Sequence, residues 1–494
     1  MHDSPADPSP ARRVRSDPAE TLRIGDALRR LAPALDRYAA HEGALPAPAY
    51  RAGTLPSEAA GLPDDGAGLD AVLDELALAV AHGCQISAPG ASCYINTGAT
   101  TAPAAAAAAV AVAGGQRYYL HAFNALESTG LRWLAALCDL PPGVTGVFTS
   151  GGSSANLVAL GAARQHAFEQ RGVDVGRDGL PAGTRARIYA SRHAHRTIHR
   201  AAAVLGLGRA AVFDVPDDGH GHVDPAALDS RLQADARDGI VPVAVVGIAG
   251  TTDTGAVDPL AQLAEIAHRH RSWLHVDGAY GLLAAASPAL RPRLAGMRDA
   301  DSWVVDPHKW LATGLGVGCA YVRDGTLLER AFMEGHAAYL EGSFVDDGQR
   351  LSQFDAFGGR WADLGVELSA PPRGVLVWAV LREIGRRGVV ERVERHAGYA
   401  RRLAARVAGE PALELGGEPE LSIACFRHRF PDRDEDAANA ELLQRLRRET
   451  PYVPSSTNVG GRFMLRSCHI NPRTAAEDVD GLVDAVLALA RTMK

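Results

Sequence analysis

The sequence contains very little lysine. Lys309 and Lys494 are the only lysines among 494 residues, and all other basic side chains are arginine. An arginine stays protonated in proteins, whereas a lysine amine can lose its proton and attack a carbonyl carbon. Chemistry that needs a free amine in the interior of the sequence therefore has one candidate, Lys309.

Other absences exclude whole classes of protein. The six cysteines are scattered, with no CxxC pair and no grouping with histidine, which predicts reduced thiols and neither a disulfide framework nor a metal site. The most apolar run, Ala102–Ala113, is too short to cross a bilayer and predicts a buried helix instead. No long apolar stretch follows Arg12 and Arg13, so we expect no export signal and a cytoplasmic protein.

The charge balance argues against a nucleic-acid partner. The 58 acidic and 51 basic residues give a net charge of −7, and the sequence has no dense basic run, whereas nucleic-acid binding usually needs a basic excess or patch. We expect neither nucleic acid nor membrane as a partner. With 47% hydrophobic and 22% charged residues, the composition is typical of a globular protein.

The length suggests roughly three structural units. Residues 1–20 are rich in Pro, Asp, Ser and Arg and are predicted to form a disordered arm. Residues 21–99 are predicted to form a helical segment, 100–375 a large domain and 376–494 a small α+β domain. The two helices predicted in the first segment cover 22–41 and 69–82.

Short apolar runs alternate with amphipathic segments between residues 100 and 330, which is typical of an α/β fold with a large, mostly parallel sheet. The run VPVAVVGI is almost entirely apolar, as expected of a strand covered on both faces. Apolar residues spaced i, i+3, i+4, i+7 predict a crossover helix over Pro259–His270. The predicted strands are Val144–Thr149, Arg187–Ala190, Ala210–Val215, Val241–Ile248, Trp273–Val276, Ser302–Val305 and Gly316–Val322. Two later helices are predicted over 375–387 and 475–492.

The residues after the first of these strands read TSGGSSAN, from Thr149 to Asn156. Small residues allow backbone N–H groups to approach an anion, and the helix that follows adds partial positive charge at its start. This stretch is therefore a candidate phosphate site. The alternative is an ordinary helix cap made by Ser153 or Ser154.

Three further strand ends carry polar residues, and each leaves two interpretations open. His193 or His195 is a candidate to lie over a planar ring, or is a solvated loop histidine. The GTTDTG turn places Thr252 beside a ligand, or is a plain turn. Asp277 ends an apolar strand, where a carboxylate is costly to bury unpaired; its partner is either a protonated pyridine nitrogen or an arginine.

The last of these strands leads into DPHKW, which contains Lys309. The alternative interpretation is an ordinary surface lysine. Taken together, an anion site, a ring-stacking histidine, an aspartate at a strand end and a single lysine follow in the order that a pyridoxal phosphate site needs. The lysine forms the Schiff base, and the aspartate keeps the pyridinium nitrogen protonated so that the ring accepts electrons.

At this point the sequence resembles a known family. The motifs TSGGSSANLVAL, HAHRTIHRAA, GTTDTGAVDPL, WLHVDGAYG and DPHKWL are similar to those of the group II pyridoxal-dependent amino-acid decarboxylases, which include aromatic-amino-acid, diaminobutyrate, cysteine-sulfinate and glutamate enzymes. The resemblance runs from about residue 45 to the C-terminus. It implies pyridoxal 5'-phosphate as cofactor, an amino acid as substrate, fold type I, and a homodimer with active sites at the subunit interface.

The resemblance also implies a role for eight residues. Lys309 would hold the cofactor, Asp277 would pair with its ring nitrogen, and His195 would stack on the ring. The remaining cofactor-binding residues would be Gly152 and Ser153 at the phosphate, His308 close to it, Thr252 near the Asp277 side of the ring, and Ala279 at its other face.

Departures from the family pattern leave the reaction and the substrate open. Many members have a loop tyrosine that returns a proton to the substrate carbon, but 341–372 contains no Tyr and no His. In relatives, Phe in place of that Tyr diverts the reaction toward an aldehyde. We therefore expect simple decarboxylation to an amine and CO2, with oxidative deamination to an aldehyde, another pyridoxal phosphate reaction, or a silent cofactor-binding protein as alternatives.

Aromatic residues offer two further open points. Tyr118, Tyr119 and Phe123 would suit an aromatic substrate if they line the pocket, but aromatic residues are more often part of the core. Tyr339, just before the altered loop, is one alternative proton donor, as are Tyr118, Tyr119, a histidine and water. The substrate side chain therefore stays open at the level of sequence.

Overall fold

A computed structural model describes most of the chain, in two compact units that comprise Met1–Ala88 and Pro89–Lys494. The described residues are 24–41, 51–59, 61–62, 64–83, 86–114, 122–333 and 361–493. The predicted arm, Tyr118, Tyr119, Tyr339 and most of the altered loop lie outside these residues. The four segments drawn from the sequence, 1–20, 21–99, 100–375 and 376–494, stay predictions.

The first unit contains two helices, α1 (Ile24–Ala40) and α2 (Gly68–Ala81), which pack against each other. Both lie within two residues of their predicted bounds. The Arg30 guanidinium on α1 lies 2.8 Å from the Asp74 carboxylate on α2. Three large apolar residues of α1 are exposed in this chain: Ile24, Leu28 and Leu35.

The second unit is an α/β layered structure with two sheets. The strands are β1 (Ala91–Ser92), β2 (Thr145–Thr149), β3 (Ala186–Ser191), β4 (Val212–Val215), β5 (Val241–Ile248), β6 (Trp273–Asp277), β7 (Ser302–Val305), β8 (Gly318–Val322), β9 (Leu413–Leu415), β10 (Ile423–His428), β11 (Val453–Val459) and β12 (Arg462–Cys468).

The helices of this unit surround those sheets. Within the described residues they are α3 (Thr101–Ala113), α4 (Ala122–Leu137), α5 (Gly152–Glu169), α6 (Val175–Asp178), α7 (Thr197–Val204), α8 (Pro225–Arg237), α9 (Leu260–Arg269), α10 (Thr326–Phe332), α11 (Gly374–Ala408), α12 (Glu435–Glu449) and α13 (Ala476–Ala490). No helix among them is long and apolar enough to cross a membrane.

The larger sheet has seven strands in the order β2-β8-β7-β6-β5-β3-β4. Strand β8 is antiparallel to both of its neighbours, and the other pairings are parallel. The carboxyl ends of all strands except β8 therefore lie at the same edge of the sheet. The fold predicted from the alternation of apolar runs is confirmed, and β5 and β7 have the predicted bounds.

The run Ala102–Ala113 forms the predicted helix, but the prediction that it is buried is wrong. Only Pro103 and Val110 are buried in α3. The helix packs along one side on α11, and its remaining residues are mostly alanine. An exposed alanine leaves little apolar surface in water, so a largely exposed alanine helix costs little free energy.

The smaller sheet has the order β1-β11-β12-β10-β9, and all of its strands except β1 come from the C-terminal part of the chain. A core of its own, separate from that of the large sheet, is formed with α12 and α13 and includes Phe426, Leu442, Leu465 and Val483. The long helix α11 is kinked at Gly385, which has a φ of 63°. Since only glycine adopts this conformation readily, the predicted helix over 375–387 stops at this point and a second helical stretch follows.

Candidate active site

The residues that follow β2, β3, β5, β6 and β7 meet at one edge of the large sheet, where ligands bind in open α/β folds. They line a cavity of about 380 Å³. The structure brings all eight residues named from the sequence to this cavity: Gly152, Ser153, His195, Thr252, Asp277, Ala279, His308 and Lys309. Their individual roles stay predictions.

The glycine-rich turn after β2 leads directly into α5. Gly151 precedes the helix with a φ of 134°, and no side chain caps the helix. The alternative prediction of a cap by Ser153 or Ser154 is therefore wrong, because the chain turns earlier, at a φ that glycine tolerates. A Cβ atom on Gly152 would lie 2.7 Å from Asp306 Oδ2. The free N–H groups at the start of α5 suit a phosphate.

Asp277 is the last residue of β6 and is 7% exposed. Its carboxylate accepts hydrogen bonds from Asn156 Nδ2 at 3.2 Å and from the Ala279 N–H at 3.2 Å. In the part of the chain that the structure describes, no arginine forms a salt bridge with Asp277, so the alternative of an arginine partner finds no support there. A carboxylate this buried favours a cationic partner from the cavity.

Lys309 lies in the loop after β7, and its side chain is 18% exposed. The Lys309 Nζ atom lies 3.3 Å from Asp306 Oδ2. Burial raises the pKa of the Asp306 carboxyl, and the positive charge of Lys309 opposes that shift. The alternative interpretation of Lys309 as a surface lysine is wrong, because its amine lies in the cavity against a buried carboxylate.

The histidines of the cavity are held by different partners. His308 Nδ1 donates to the Val317 carbonyl at 2.8 Å, which leaves Nε2 as the acceptor when the ring is neutral. His195 Nδ1 lies 3.0 Å from Thr197 Oγ1, and His195 is an exposed residue that lines the cavity. His193 also lines the cavity, but it hydrogen-bonds Asp217 at 3.2 Å. His195 is thus the better candidate to lie over a ring.

Sequence reasoning gave no role of their own to three polar residues of this cavity: Asn156, Thr197 and Asp306. Asn156 is buried on α5 among apolar residues, and a buried amide on such a helix is a signal that it has hydrogen-bond partners. Asp306 lies three residues before the only interior lysine. Thr197 carried no signal in the sequence beyond its place near His195.

The donor set fits pyridoxal phosphate. The turn before α5 offers N–H groups to a phosphate, Asp277 is a buried carboxylate suited to a protonated ring nitrogen, and Lys309 offers an amine to an aldehyde. The cavity joins these three groups in one space. Fold and site together therefore define a pyridoxal-phosphate-dependent enzyme of fold type I.

Comparisons with known proteins narrow this class. Residues 49–429 match the "Pyridoxal-dependent decarboxylase conserved domain". Tryptophan decarboxylase 1 of Oryza sativa subsp. japonica is 33% identical over 366 residues, which cover 70% of this chain and 68% of that protein. L-2,4-diaminobutyrate decarboxylase of Rhizobium meliloti (strain 1021) is 31% identical over 445 residues, which cover 88% of this chain and 84% of that protein.

Solved structures agree with these matches. The crystal structure of Oryza sativa TDC with PLP and tryptamine has a TM-score of 0.87 at 27% identity, and the alignment covers 97% of this chain and 99% of that one. The chain belongs to the pyridoxal-dependent decarboxylase family. It is a carboxy-lyase that acts on an amino acid with pyridoxal phosphate as cofactor, so the resemblance drawn from the motifs is confirmed, and the alternative of a silent cofactor-binding protein is not supported.

Proposed function

We propose that the enzyme converts an L-amino acid into the corresponding amine and CO2, with Lys309 as the residue that holds the cofactor. The observation that carries this proposal is the position of the only interior lysine. Its amine lies in the same cavity as the Asp277 carboxylate and the turn before α5. The one other lysine of the sequence is Lys494.

Each group of the site has a distinct task in this proposal. When bound, pyridoxal phosphate supplies a ring that accepts the electron pair left behind as CO2 departs. Asp277 would keep the ring nitrogen of the cofactor protonated, because a buried carboxylate stabilises an adjacent positive charge. The N–H groups of Gly152 and Ser153 orient the phosphate, with His308 nearby, while His195 and Ala279 bound the space for the ring and Thr252 closes it on the Asp277 side.

Asp306 has a further task beside Lys309. Its Oδ2 atom faces the amine at 3.3 Å, while Oδ1 is buried without a hydrogen-bond partner among the described residues. The contact between these oppositely charged side chains leaves no net charge buried beside the cavity, and it holds the Lys309 amine in place.

For the substrate, we propose an aromatic L-amino acid. Support comes from the similarity to the rice tryptophan decarboxylase and from the cavity lining. Among the described residues that line the cavity, none is an arginine, so they offer no fixed cation for a second carboxylate, as an acidic side chain would need.

A second candidate reaction is decarboxylation coupled to oxidative deamination, which gives an aldehyde and consumes oxygen. One observation favours it: the absence of Tyr and His from 341–372, which removes the proton donor found in many relatives. Tyr339 precedes that stretch and is one alternative donor, as are water and a cavity histidine. Oxygen uptake during turnover separates the two reactions.

The proposed assembly is a cytoplasmic homodimer in which the helices of residues 21–99 contribute to the interface. The exposed apolar residues Ile24, Leu28 and Leu35 on α1 support this arrangement, because apolar side chains on one helix are usually covered by another surface. Sedimentation equilibrium of the full chain would show twice the 51.9 kDa mass of one chain.

Borohydride trapping tests the role of Lys309. Reduction of the cofactor-loaded protein makes the bond to the lysine permanent, and mass spectrometry of the peptides locates it. We expect all of the label on Lys309, none in Lys309→Ala, and an unchanged result in Lys494→Arg, which is the matched control. Label on Lys494, or label retained by Lys309→Ala, would overturn the assignment.

A further inference from the structure

Behind the Asp277 carboxylate lies a chain of buried polar side chains that the proposed function does not use. Trp273, His275 and Asp277 alternate along β6 and therefore share one face of the sheet. Ser302 on β7 is the register partner of His275. Asn156 on α5 completes the set, and each of these side chains is at least nine-tenths buried.

The chain of hydrogen bonds is continuous. Trp273 Nε1 donates to Ser302 Oγ at 2.8 Å, and Ser302 Oγ lies 2.8 Å from His275 Nδ1. His275 Nε2 lies 2.8 Å from Asn156 Oδ1. Asn156 Nδ2 then donates to Asp277 Oδ2 at 3.2 Å.

The donors and acceptors allow only one arrangement of protons. An indole N–H can only donate and a carboxylate can only accept, so the Asn156 amide must turn its nitrogen toward Asp277 and its oxygen toward His275. His275 must then carry its proton on Nε2. Burial lowers the pKa of His275 to about 4, so the neutral ring has no second proton, and Nδ1 accepts from Ser302.

The same amide also reaches the other flank of the cavity. Asn156 Nδ2 donates to Thr197 Oγ1 at 3.4 Å. The Thr197 hydroxyl lies 3.0 Å from His195 Nδ1. The backbone N–H of Thr197 donates to the same nitrogen at 3.4 Å. One amide therefore connects two of the side chains that are proposed to contact the cofactor ring, Asp277 and His195.

We propose that Asn156 is a positioning residue that acts through Asp277, and that His275 and Ser302 fix its orientation. This inference rests on the proposed role of Asp277 at the ring nitrogen. Loss of the Asn156 amide removes one hydrogen-bond donor to the Asp277 carboxylate and leaves the carboxylate free to rotate. The proton on the ring nitrogen is then held less firmly, whereas the binding of the phosphate at the other end of the cavity is unaffected.

The test reads the ring nitrogen directly, by ¹⁵N NMR of the protein loaded with pyridoxal phosphate labelled at that atom. In the wild type we expect the signal of a protonated ring nitrogen at every pH at which the protein stays folded. In Asn156→Ala and His275→Leu we expect the ring nitrogen to lose its proton at a pH at least one unit lower than in the wild type. We also expect a kcat about tenfold lower at unchanged KM, as the loss of one hydrogen bond to a charged group predicts.

Two controls separate a positioning role from a structural one. His275→Gln keeps a donor toward Asn156 and an acceptor toward Ser302, so we expect it to restore the wild-type signal that His275→Leu loses. Asp277→Asn must shift the signal if the proposed role of Asp277 holds. A shift in Asp277→Asn without a shift in Asn156→Ala and His275→Leu would overturn this inference alone. No shift in any variant would overturn the role of Asp277 and this inference with it. If Asn156→Ala does not fold, the His275 pair decides.

Discussion

A histidine held between two carboxylates predicts a specific dependence of stability on pH. His222 Nδ1 lies 2.9 Å from Asp218 Oδ2, and His222 Nε2 lies 2.6 Å from Glu420 Oε1. The hydrogen bond to Glu420 raises the pKa of His222 to about 9, burial opposes the shift, and Asp218 adds to it. The imidazolium thus joins the turn before α8 to the segment before β10.

The sign and size of the effect follow from that pKa. In the unfolded chain the pKa of a histidine is about 6.5, so the stabilisation is fully present below that pH and is lost as the pH rises through 9. Between pH 7 and pH 9 the loss from this group amounts to about 2 kcal/mol. His222→Gln, which is neutral at every pH, should be less stable than the wild type at pH 7 and nearly equal to it at pH 9.

Urea unfolding followed by tryptophan fluorescence measures this difference. The free energy of unfolding of the wild type minus that of His222→Gln is expected to shrink with rising pH. His220→Gln serves as the matched control, because His220 is exposed and its replacement should leave the pH dependence unchanged. A difference between wild type and His222→Gln that stays constant from pH 6 to pH 9 would refute the reasoning.

Two further predictions concern the cavity. Gly152→Ala places a Cβ atom 2.7 Å from Asp306 Oδ2, so we expect cofactor affinity to fall about tenfold in a fluorescence titration of the cofactor-free protein. The control variant Gly61→Ala, with no neighbour within 4 Å of the added atom, should bind the cofactor normally. Equal affinity in both variants would contradict the close contact. Asp306→Asn removes the carboxylate beside Lys309 Nζ, so the amine is held less firmly in the cavity and the rate of cofactor capture should fall. An unchanged capture rate would show that Asp306 does not position the amine.

The strands of the large sheet could be predicted from the sequence because each is a short apolar run bounded by turn residues. Val241–Ile248 and Ser302–Val305 have the predicted bounds. The other predicted strands differ from the observed ones by one or two residues at one end, or by one residue at both ends in the case of β3. At 210–211 and 316–317 apolar or small residues continue the run past the point where hydrogen bonding to the neighbouring strand begins.

Burial and hydrogen bonding were harder to predict. An alanine run signals helix formation, but nothing in it states which neighbours cover the helix, and α3 is mostly exposed. Asn156 reaches Asp277 across 121 positions of sequence, so its partner exists only once α5 packs on β6. Residues such as Lys309 and Asp277 could be named because their chemistry is rare at strand ends, whereas an asparagine or threonine is common everywhere.

The most direct test of the account is the release of CO2 by the cofactor-loaded enzyme from a panel of L-amino acids, with oxygen uptake and hydrogen peroxide recorded in parallel. We expect CO2 and amine in equal amounts from an aromatic substrate, no oxygen uptake, and CO2 at background level from Lys309→Ala that retains the wild-type fold by circular dichroism. CO2 released together with an equal amount of oxygen consumed would favour the aldehyde-forming reaction instead. CO2 release by Lys309→Ala at near the wild-type rate would contradict the central claim.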